Sequence, residues 1–281
     1  MEQFIATENS KLSSAIKAKY NLLSYSSLQK LLRNKDIKVN SKRTNKDILI
    51  CTGDKIEVYA NAQILHGKQI EVVFEDDNIL VANKPAGIEV CDGAGDTLEK
   101  LLSQKQKVYA VHRIDRNTTG LVVLAKTLDA KKELEAMFKE HRIEKHYLAA
   151  VFGLPKQKEQ KLVAYLKKDA KRAIVEISAT PKPDFDKIIT KYKVVEGNNQ
   201  TSLLDIEIET GKTHQIRAHL AHIGYPIVGD DKYGNKKQND AVKKHKQMLL
   251  AYKIIFNKPK GVLKYLKCKA FELDTRDFYK V

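Results

Sequence analysis

The sequence feature that most constrains this chain is a short polar stretch, residues 111–121, between two apolar runs. The runs, residues 108–111 and 121–125, are β-branched and aliphatic, which predicts two buried strands. Residues 117–120, Asn-Thr-Thr-Gly, provide turn chemistry just before the second run. A carboxylate, Asp115, is thereby placed on a connection between core strands, where a charge costs several kcal/mol unless it is paired and hydrogen-bonded. Asp115 is therefore either an acid that pins a loop through a salt bridge or a reactive group.

The net charge of the chain indicates what class of molecule it binds. The 281 residues include 51 Lys and Arg against 35 Asp and Glu, a formal net charge of +16. Because the lysines are clustered rather than dispersed, this excess favours a polyanionic partner, and nucleic acid first, over a device for solubility. The three cysteines are far apart and form no Cys-x-x-Cys pair, which predicts reduced thiols in a cytoplasmic protein. Without a leader-like N-terminus or a long apolar run, no membrane association is expected.

A first domain is predicted at residues 11–60, after a loose segment at residues 1–10. Helical spacing of apolar residues predicts helices over residues 12–20 and from Ser26, and alternation predicts strands at residues 37–39 and 56–58. This domain contains eleven Lys and Arg against four acids, so nearly half of the excess charge lies in a fifth of the chain. Its basic side chains form either an RNA-binding face or an ordinary solvated face.

A second domain is predicted at residues 70–281, after a linker at residues 61–68. Strands are expected at residues 79–82, 148–152, 174–177, 190–195, 203–208, 248–256 and 263–271. Residues 96–99, Asp-Thr-Leu-Glu, are expected to cap a helix, and residues 127–140 are expected to form another. Thr213 is expected to cap a helix that buries Ile216 and Leu220 beside Arg217. Because strands outnumber helices and few connections resemble βαβ crossovers, we predict an α+β fold with a mixed, largely antiparallel sheet flanked by helices.

Several familiar sites are missing from the sequence. There is no Gly-rich phosphate loop, no dinucleotide fingerprint and no Gly-x-Ser-x-Gly elbow. The histidines at 214, 219 and 222 do not have metal-ligand spacing, so neither a metal nor a cofactor is predicted. A carboxylate without a partner acid does not suit the usual glycosidase. It does suit a nucleophile or general base that a neighbouring arginine keeps ionised.

The first domain resembles the small RNA-binding domain first known from a ribosomal small-subunit protein, the S-four type. In that domain two helices and a β-turn dock on RNA, and Val39-Asn40 matches the turn, although Ser41 stands where glycine is usual. The resemblance implies that Lys30, Arg33 and Lys38 bind RNA.

The second domain resembles the RluA-type pseudouridine synthases. The matching blocks are residues 83–87, 112–121, 145–147 and 210–220, followed by the glycine-rich turns up to residue 234, and they occur in the family's order. Such enzymes convert a chosen uridine in RNA to its carbon-linked isomer without a cofactor or metal. The resemblance implies the same reaction here, on large-subunit ribosomal RNA first and transfer RNA second, by a protein that works as a monomer.

The resemblance also implies individual roles. Asp115 matches the aspartate that attacks the flipped nucleotide, at the sugar in the favoured scheme and at the uracil ring in the older one. Tyr147 matches the tyrosine that packs on the base, Arg217 the arginine paired with the aspartate, and Arg113 the residue that fills the gap left by the flipped base. We expect further RNA or substrate contacts from His112, Lys84, Lys145, His214 and Gln215.

Two rival functions remain. A non-catalytic RNA-binding or ribosome-assembly protein could keep this fold, although it would have no need of a nucleophile. Hydrolysis of the glycosidic bond would leave an abasic site in place of an isomer. Taken one at a time, Tyr147 could also be an ordinary strand tyrosine and Arg217 a cation on a helix surface.

Overall fold

The computed structural model describes residues 1–20, 23, 25–65, 70–93, 95–104, 106–169 and 171–279. The chain divides into two compact units. The first unit is Met1–Ile70 with Gly93–Asp96, and the second is Glu71–Asp92 with Thr97–Val281.

The first unit is a small α/β module. Its elements are β1 (Glu2–Ile5), β2 (Ser10–Lys11), α1 (Leu12–Lys19), α2 (Tyr25–Arg33), β3 (Ile37–Val39), β4 (Lys42–Thr44), β5 (Leu49–Ile50), β6 (Lys55–Val58) and α3 (Ala62–Leu65). Strands β1, β6, β3 and β4 form an antiparallel sheet in that order, and β2 pairs with β5. Apolar side chains from both long helices pack with β3 and β6 in one core.

Two expectations for the first unit need correction. Residues 1–10 are not loose, because β1 adds to the sheet beside β6 and Phe4 packs edge-on against Tyr20, with ring centroids 6.0 Å apart. Phe4 and Ile5 are adjacent rather than alternating with polar residues, so the strand is not evident in the sequence. Of the predicted linker, residues 61–65 include α3, and residues 66–68 lie outside the described residues.

The second unit is built on a long sheet. Its strands are β7 (Glu71–Glu75), β8 (Ile79–Lys84), β9 (Tyr109–Ala110), β10 (Thr119–Ala125), β11 (Ile143–Phe152), β12 (Glu159–Asp169), β13 (Ile174–Ser178), β14 (Asp186–Gly197), β15 (Thr201–Ile208), β16 (Leu249–Phe256) and β17 (Ala270–Glu272). Its helices are α4 (Leu98–Leu102), α5 (Leu128–Lys139), α6 (Gln215–His222) and α7 (Lys236–Ala241), with a 3-10 helix at Gly261–Leu266.

The strand order confirms the predicted fold class. The sheet runs β13-β12-β14-β15-β11-β16-β10-β8-β7, with β9 beside β10 and β17 beside β16. Among the strand pairs of the described ranges, only β10 and β16 are parallel. The central strands β8 and β10 are buried along almost their whole length, and one face of each packs in a core with α5 and the 3-10 helix. Helices α4 and α5 lie where they were predicted, and Thr97 and Thr127 are their N-caps, each accepting a backbone N–H.

Two strand predictions were wrong in extent, and one strand was not identified. The run at residues 108–111 pairs for only two residues, in β9, and only Val108 of the run is buried, while the other three residues are half-buried. The region 156–183 contains β12, an eleven-residue strand with an exposed, lysine-rich face that hides its alternation. Most of residues 263–271 is the 3-10 helix and a turn, where Leu263 and Leu266 face the core at a spacing of three.

No helix in the described part of the chain combines the length and the apolar character needed to cross a bilayer.

Candidate functional site

The connection that bears Asp115 is fixed by the strand that follows it. The carbonyl of Asp115 accepts a hydrogen bond from the N–H of Thr118 at 3.1 Å, which closes a turn. Gly120 then pairs with Ala251 of β16 and has a φ of +112°. A Cβ at this position would lie 2.2 Å from the carbonyl oxygen of Ala251, so another residue would push the strands apart. The position of Asp115 therefore depends on a glycine five residues away.

A buried ammonium ties this connection to a second loop. The Nζ of Lys84 donates to the carbonyl oxygens of Pro85 (3.0 Å), Ile88 (2.9 Å) and Arg116 (3.1 Å), and the side chain is fully buried. A cation with these partners, away from the surface, favours a structural role for Lys84 over direct contact with RNA.

Arg217 lies on α6, which begins differently from the prediction. The N-cap is His214 rather than Thr213, with a left-handed φ of +53° and no side-chain cap. The Nε2 atom of the His214 ring lies 4.0 Å from Oδ2 of Asp115. Arg217, one turn into the helix, is 4% exposed, which excludes the alternative of a surface cation.

The guanidinium of Arg217 bridges two carboxylates. Its Nε and Nη2 donate to both oxygens of Asp230, at 2.7 and 3.0 Å, and its Nη1 donates to Oδ2 of Asp115 at 3.0 Å. The exposed Asp231 lies 3.5 Å from Nη2. The structure thus brings together Asp115 and Arg217, which are 102 residues apart. Asp230 holds Nε and Nη2, the two nitrogens of the guanidinium that do not contact Asp115.

Asp230 and Arg217 form a stable ion pair. Burial by itself would raise the pKa of Asp230, but hydrogen bonds from Arg217 and from the N–H groups of Lys232 and Tyr233 outweigh it and lower that pKa. Burial opposes the charge on Arg217 as well, and Asp230 and Asp115 more than compensate by raising its pKa. Asp230 and Arg217 therefore remain charged at neutral pH.

Asp115 opens into a cavity of about 410 Å³. Its lining includes Tyr147 and the basic side chains of His112, Arg113, Lys139, His141, Lys145, Lys212, His214 and Arg217. Asp115 is the acidic residue among the lining residues, and its side chain is 19% exposed. An anionic ligand with a planar, uncharged group suits such a cavity.

Two residues of β11 line the floor of the cavity. Tyr147 is 7% exposed, and burial, with the charge of Asp115, raises the pKa of its phenol, so the hydroxyl stays protonated. Burial lowers the pKa of Lys145, and within the described residues its ammonium makes no hydrogen bond or ion pair. A phenol face and an unpaired ammonium are thus available to a ligand beside Asp115.

Other predicted contacts have partners inside the protein. His112 accepts the N–H of Val123 at 2.9 Å and stacks on Phe138, and burial, then Lys145, lowers its pKa to about 3. Gln215 is 3% exposed, and its amide bonds to Ile189, Thr190, Thr210 and Lys212. These contacts favour supporting roles for both residues.

Arg113 is exposed at the cavity, as an RNA-inserting side chain would need to be. Lys30 and Arg33 are exposed on α2 of the first unit. Lys38 on β3 and Arg43 on β4 are paired across the strands and both lie over the ring of Tyr59, at 5.0 and 5.1 Å. The turn between them is tight, since Asn40 and Ser41 both have positive φ.

The sequence interpretation missed two residues of the site, Asp230 and Tyr233, and assigned both to glycine-bound turns. A signal existed, because a buried arginine has five N–H donors and one carboxylate cannot accept them all. The close packing of the turn itself depends on Gly229, where a Cβ would lie 2.0 Å from the carbonyl oxygen of Lys246. Within the described ranges, His, Cys, Asp and Glu side chains do not converge in threes to hold a metal.

Comparisons with known proteins identify the family. Residues 78–222 match the RNA pseudouridylate synthase family. Curated relatives named ribosomal large subunit pseudouridine synthase C include the protein of Rickettsia bellii, 33% identical over 81% of this chain and 84% of its own. The protein of Vibrio vulnificus is 31% identical over 75% and 72%, and that of Buchnera aphidicola 30% identical over 90% and 89%.

Solved structures agree at the level of the fold. Human RNA pseudouridylate synthase domain containing 1 superposes with a TM-score of 0.60 at 22% identity, covering 75% of this chain and 92% of its own. Human RNA pseudouridylate synthase domain containing 4 gives 0.56 at 20% identity, over 69% and 90%. The family match spans more than half of the chain and includes Asp115, Tyr147 and Arg217. The chain therefore belongs to the RNA pseudouridylate synthase family and is an RNA pseudouridine synthase, an isomerase.

Proposed function

We propose that this protein isomerises specific uridines of large-subunit ribosomal RNA to pseudouridine, with Asp115 as the nucleophile. The observation that carries the proposal is the carboxylate of Asp115, held at 3.0 Å by Arg217 at the edge of a cation-rich cavity. The names of the curated relatives support the large subunit as the source of the RNA. Transfer RNA is the second candidate.

The chemical steps balance without an added reactant. An oxygen of Asp115 attacks C1′ of the flipped uridine, and the electron pair of the N1–C1′ bond leaves with the uracil. The uracil turns, C5 bonds to C1′, and the aspartyl ester breaks, which returns the electron pair to Asp115. C5 then loses its proton and N1 gains one.

Arg217 serves this sequence by holding the carboxylate of the nucleophile in a fixed orientation. Two of its N–H groups are committed to Asp230, so the guanidinium cannot rotate, and Nη1 faces Asp115. Such a preorganised donor also stabilises the carboxylate again when the ester breaks.

Tyr147 provides the surface on which the uracil turns. Its ring is buried on β11 beside Asp115, and its hydroxyl stays protonated because its pKa is raised. Stacking on an aromatic side chain is worth about 1–3 kcal/mol per base, which offsets part of the cost of extracting the nucleotide. Arg113, exposed at the cavity, fills the space that the base leaves.

Lys145 gives the flipped nucleotide a cationic partner. Its unpaired ammonium in the described structure lines the same cavity as Asp115. His112, Gln215 and Lys84 support the site from inside the protein through their bonds to the backbone.

The first unit is proposed to be the S-four-type RNA-binding domain, at residues 11–60, attached to a catalytic domain at residues 70–281. Lys30, Arg33 and Lys38 provide exposed or half-exposed cations, and Tyr59 adds an aromatic face between Lys38 and Arg43. Cations with an interleaved aromatic ring suit a phosphate backbone and an unpaired base.

The test is tritium release from RNA labelled at C5 of uracil, with ribosomal and transfer RNA pools compared. Wild type should release tritium from the ribosomal pool and Asp115→Asn should release none. Asp184→Asn is the matched control, because it makes the same change at a carboxylate that is 79% exposed. Release by Asp115→Asn at the wild-type rate would overturn the nucleophile assignment.

The same samples separate the rival functions. A wild-type protein that binds the RNA without releasing tritium would be a binding protein with a synthase fold. Chain cleavage by aniline at the target would indicate abasic sites and therefore hydrolysis.

A further inference from the structure

Asp115 has a second neighbour besides Arg217. The Nε2 atom of His214 lies 4.0 Å from Oδ2 of Asp115, the same oxygen that Arg217 contacts. This separation is too long for a hydrogen bond, which needs about 2.7–3.2 Å between nitrogen and oxygen. It leaves room for a ligand oxygen to approach the imidazole beside the nucleophile.

The hydroxyl of Tyr233 determines where the proton of His214 lies. The N–H of Val175 donates to the Tyr233 oxygen at 2.8 Å, and Nδ1 of His214 lies 2.8 Å from the same oxygen. Within the described residues, Nδ1 of His214 is the acceptor in reach of the single hydroxyl proton. Tyr233 therefore donates to Nδ1, which leaves the imidazole proton on Nε2, facing the cavity.

The surroundings keep this imidazole neutral. Burial lowers the pKa of His214, and the charges of Arg217 and Lys232 lower it further, against the opposing effect of Asp115 and Asp230. The ring of Tyr233 also lies 5.3 Å from the guanidinium carbon of Arg217. Tyr233 thus contacts both groups that flank Oδ2 of Asp115.

The backbone at His214 has a left-handed φ of +53°, a conformation that asparagine or glycine adopts readily. Neither of these side chains would place an N–H donor where Nε2 lies.

We propose that His214 donates a hydrogen bond from Nε2–H to an oxygen of the flipped uridine next to the glycosidic bond, either O2 of uracil or the 2′-hydroxyl of ribose. The proposal rests on the proposed attack of Asp115 at C1′, because both oxygens lie two bonds from an atom of the bond that breaks. His214 is then a substrate contact, and Tyr233 is the positioning residue that selects its tautomer.

The tautomer is testable in the free protein by nitrogen-15 NMR of the eight histidine side chains, with His214 assigned by its loss in His214→Gln. At neutral pH, Nε2 should be protonated and Nδ1 should accept. Tyr233→Phe should shift His214 toward a mixture of tautomers. A proton on Nδ1 in the wild type would overturn the proposal without any reference to activity.

The donor is testable by two substitutions, measured in single-turnover tritium release. The amide nitrogen of His214→Gln can reach the place of Nε2, whereas that of His214→Asn reaches only the place of Nδ1. We expect Gln to stay within about tenfold of wild type and Asn to lose about 100-fold, with RNA affinity within about twofold in both. A more active Asn variant would show that the backbone, which Asn tolerates better, was the only requirement.

The acceptor is testable with RNA that contains 2′-deoxyuridine or 2-thiouridine at the target. If one of these substrates slows wild type but slows His214→Asn much less, that oxygen is the partner. Additive losses with both substrates would overturn the contact. Absence of isomerisation by wild type on RNA with an unmodified uridine would instead contradict the proposed function. The failure of the proposal and the failure of the proposed function are therefore distinct.

Discussion

Two carboxylates share the guanidinium of Arg217, and their surroundings differ. The side chain of Asp230 is fully buried, accepts two hydrogen bonds from Arg217 and accepts two backbone N–H groups. The side chain of Asp115 is 19% exposed and accepts one hydrogen bond from Arg217. The carboxylate of Asp230 is therefore committed to partners inside the protein, while Asp115 faces a cavity with most of its acceptor capacity free.

The difference suits the nucleophilic role that we propose for Asp115. Asp230 compensates most of the burial cost of Arg217, so the arginine does not need Asp115 as its main partner. One carboxylate could not both compensate the buried arginine and act as a nucleophile. A carboxylate whose oxygens are fully occupied by hydrogen bonds is a poor nucleophile.

The largest expected effect is on the reaction at Asp115. Asp115→Asn should lower the single-turnover rate at least about 1,000-fold, equivalent to about 4 kcal/mol of activation free energy. It should change the free energy of unfolding by less than about 1 kcal/mol, because Arg217 keeps Asp230. Rapid-quench kinetics and urea unfolding of one preparation would measure both, and a large loss of stability would break the contrast between the two acids.

The opposite pattern is expected at Asp230. Asp230→Asn leaves Arg217 buried with half of its partners, so the free energy of unfolding should fall by about 3–5 kcal/mol. Urea unfolding checks this value. Asp231→Asn, at a carboxylate that is 67% exposed near the same arginine, is the control and should change stability by less than about 0.5 kcal/mol. Equal losses from both variants would mean that burial does not distinguish them.

The dependence of stability on acidic pH should also reveal the role of Asp230. The folded-state pKa of Asp230 is lowered, so its contribution to stability is present above its unfolded pKa of about 3.9 and is lost as pH falls through the lower folded value. Wild type should therefore lose unfolding free energy between about pH 4 and the folded pKa, and Asp230→Asn should lose less over that interval. Parallel acid profiles of the two proteins would contradict a charged Asp230 in the folded state.

Geometry matters beyond charge at Arg217. Arg217→Lys keeps one cation but cannot reach both carboxylates with a fixed fork, so we expect the rate to fall about 10–100-fold. Single-turnover kinetics with a parallel measurement of RNA affinity would check it. A rate within twofold of wild type would show that charge alone is sufficient.

The smallest effect concerns the first unit, far in sequence from both acids. Each of Lys38→Ala and Arg43→Ala should reduce the salt dependence of RNA affinity by about one phosphate contact, with the single-turnover rate unchanged at saturating RNA. Filter binding at several salt concentrations measures the slope. An unchanged slope in both variants would count against RNA binding by this face.

Local signals in the sequence predicted much of the second unit. The capped helices α4 and α5 and the apolar strands β8, β10 and β16 follow from side chains within one segment. The sequence analysis did not identify β12, whose exposed face is rich in lysine, and it assigned the segment around Leu263 to a strand where the structure has a 3-10 helix. Both elements depend on what packs against them. The predicted start of α6 was wrong for a related reason. Thr213 has a side chain that suits an N-cap, but the N-cap in the structure is His214, which lines the cavity.

The sequence by itself determined the family, the placement of Asp115 between buried strands and the residues in its recognisable blocks, because those signals are local and ordered along the chain. Only the tertiary structure decided that Asp230 binds Nε and Nη2 of Arg217 and that Tyr233 contacts Nδ1 of His214. It also decided that the side chains of Lys84 and Gln215 are buried. These roles depend on the partners that segments more than ten residues apart bring together, and a buried charge or amide is assigned a role only by what surrounds it.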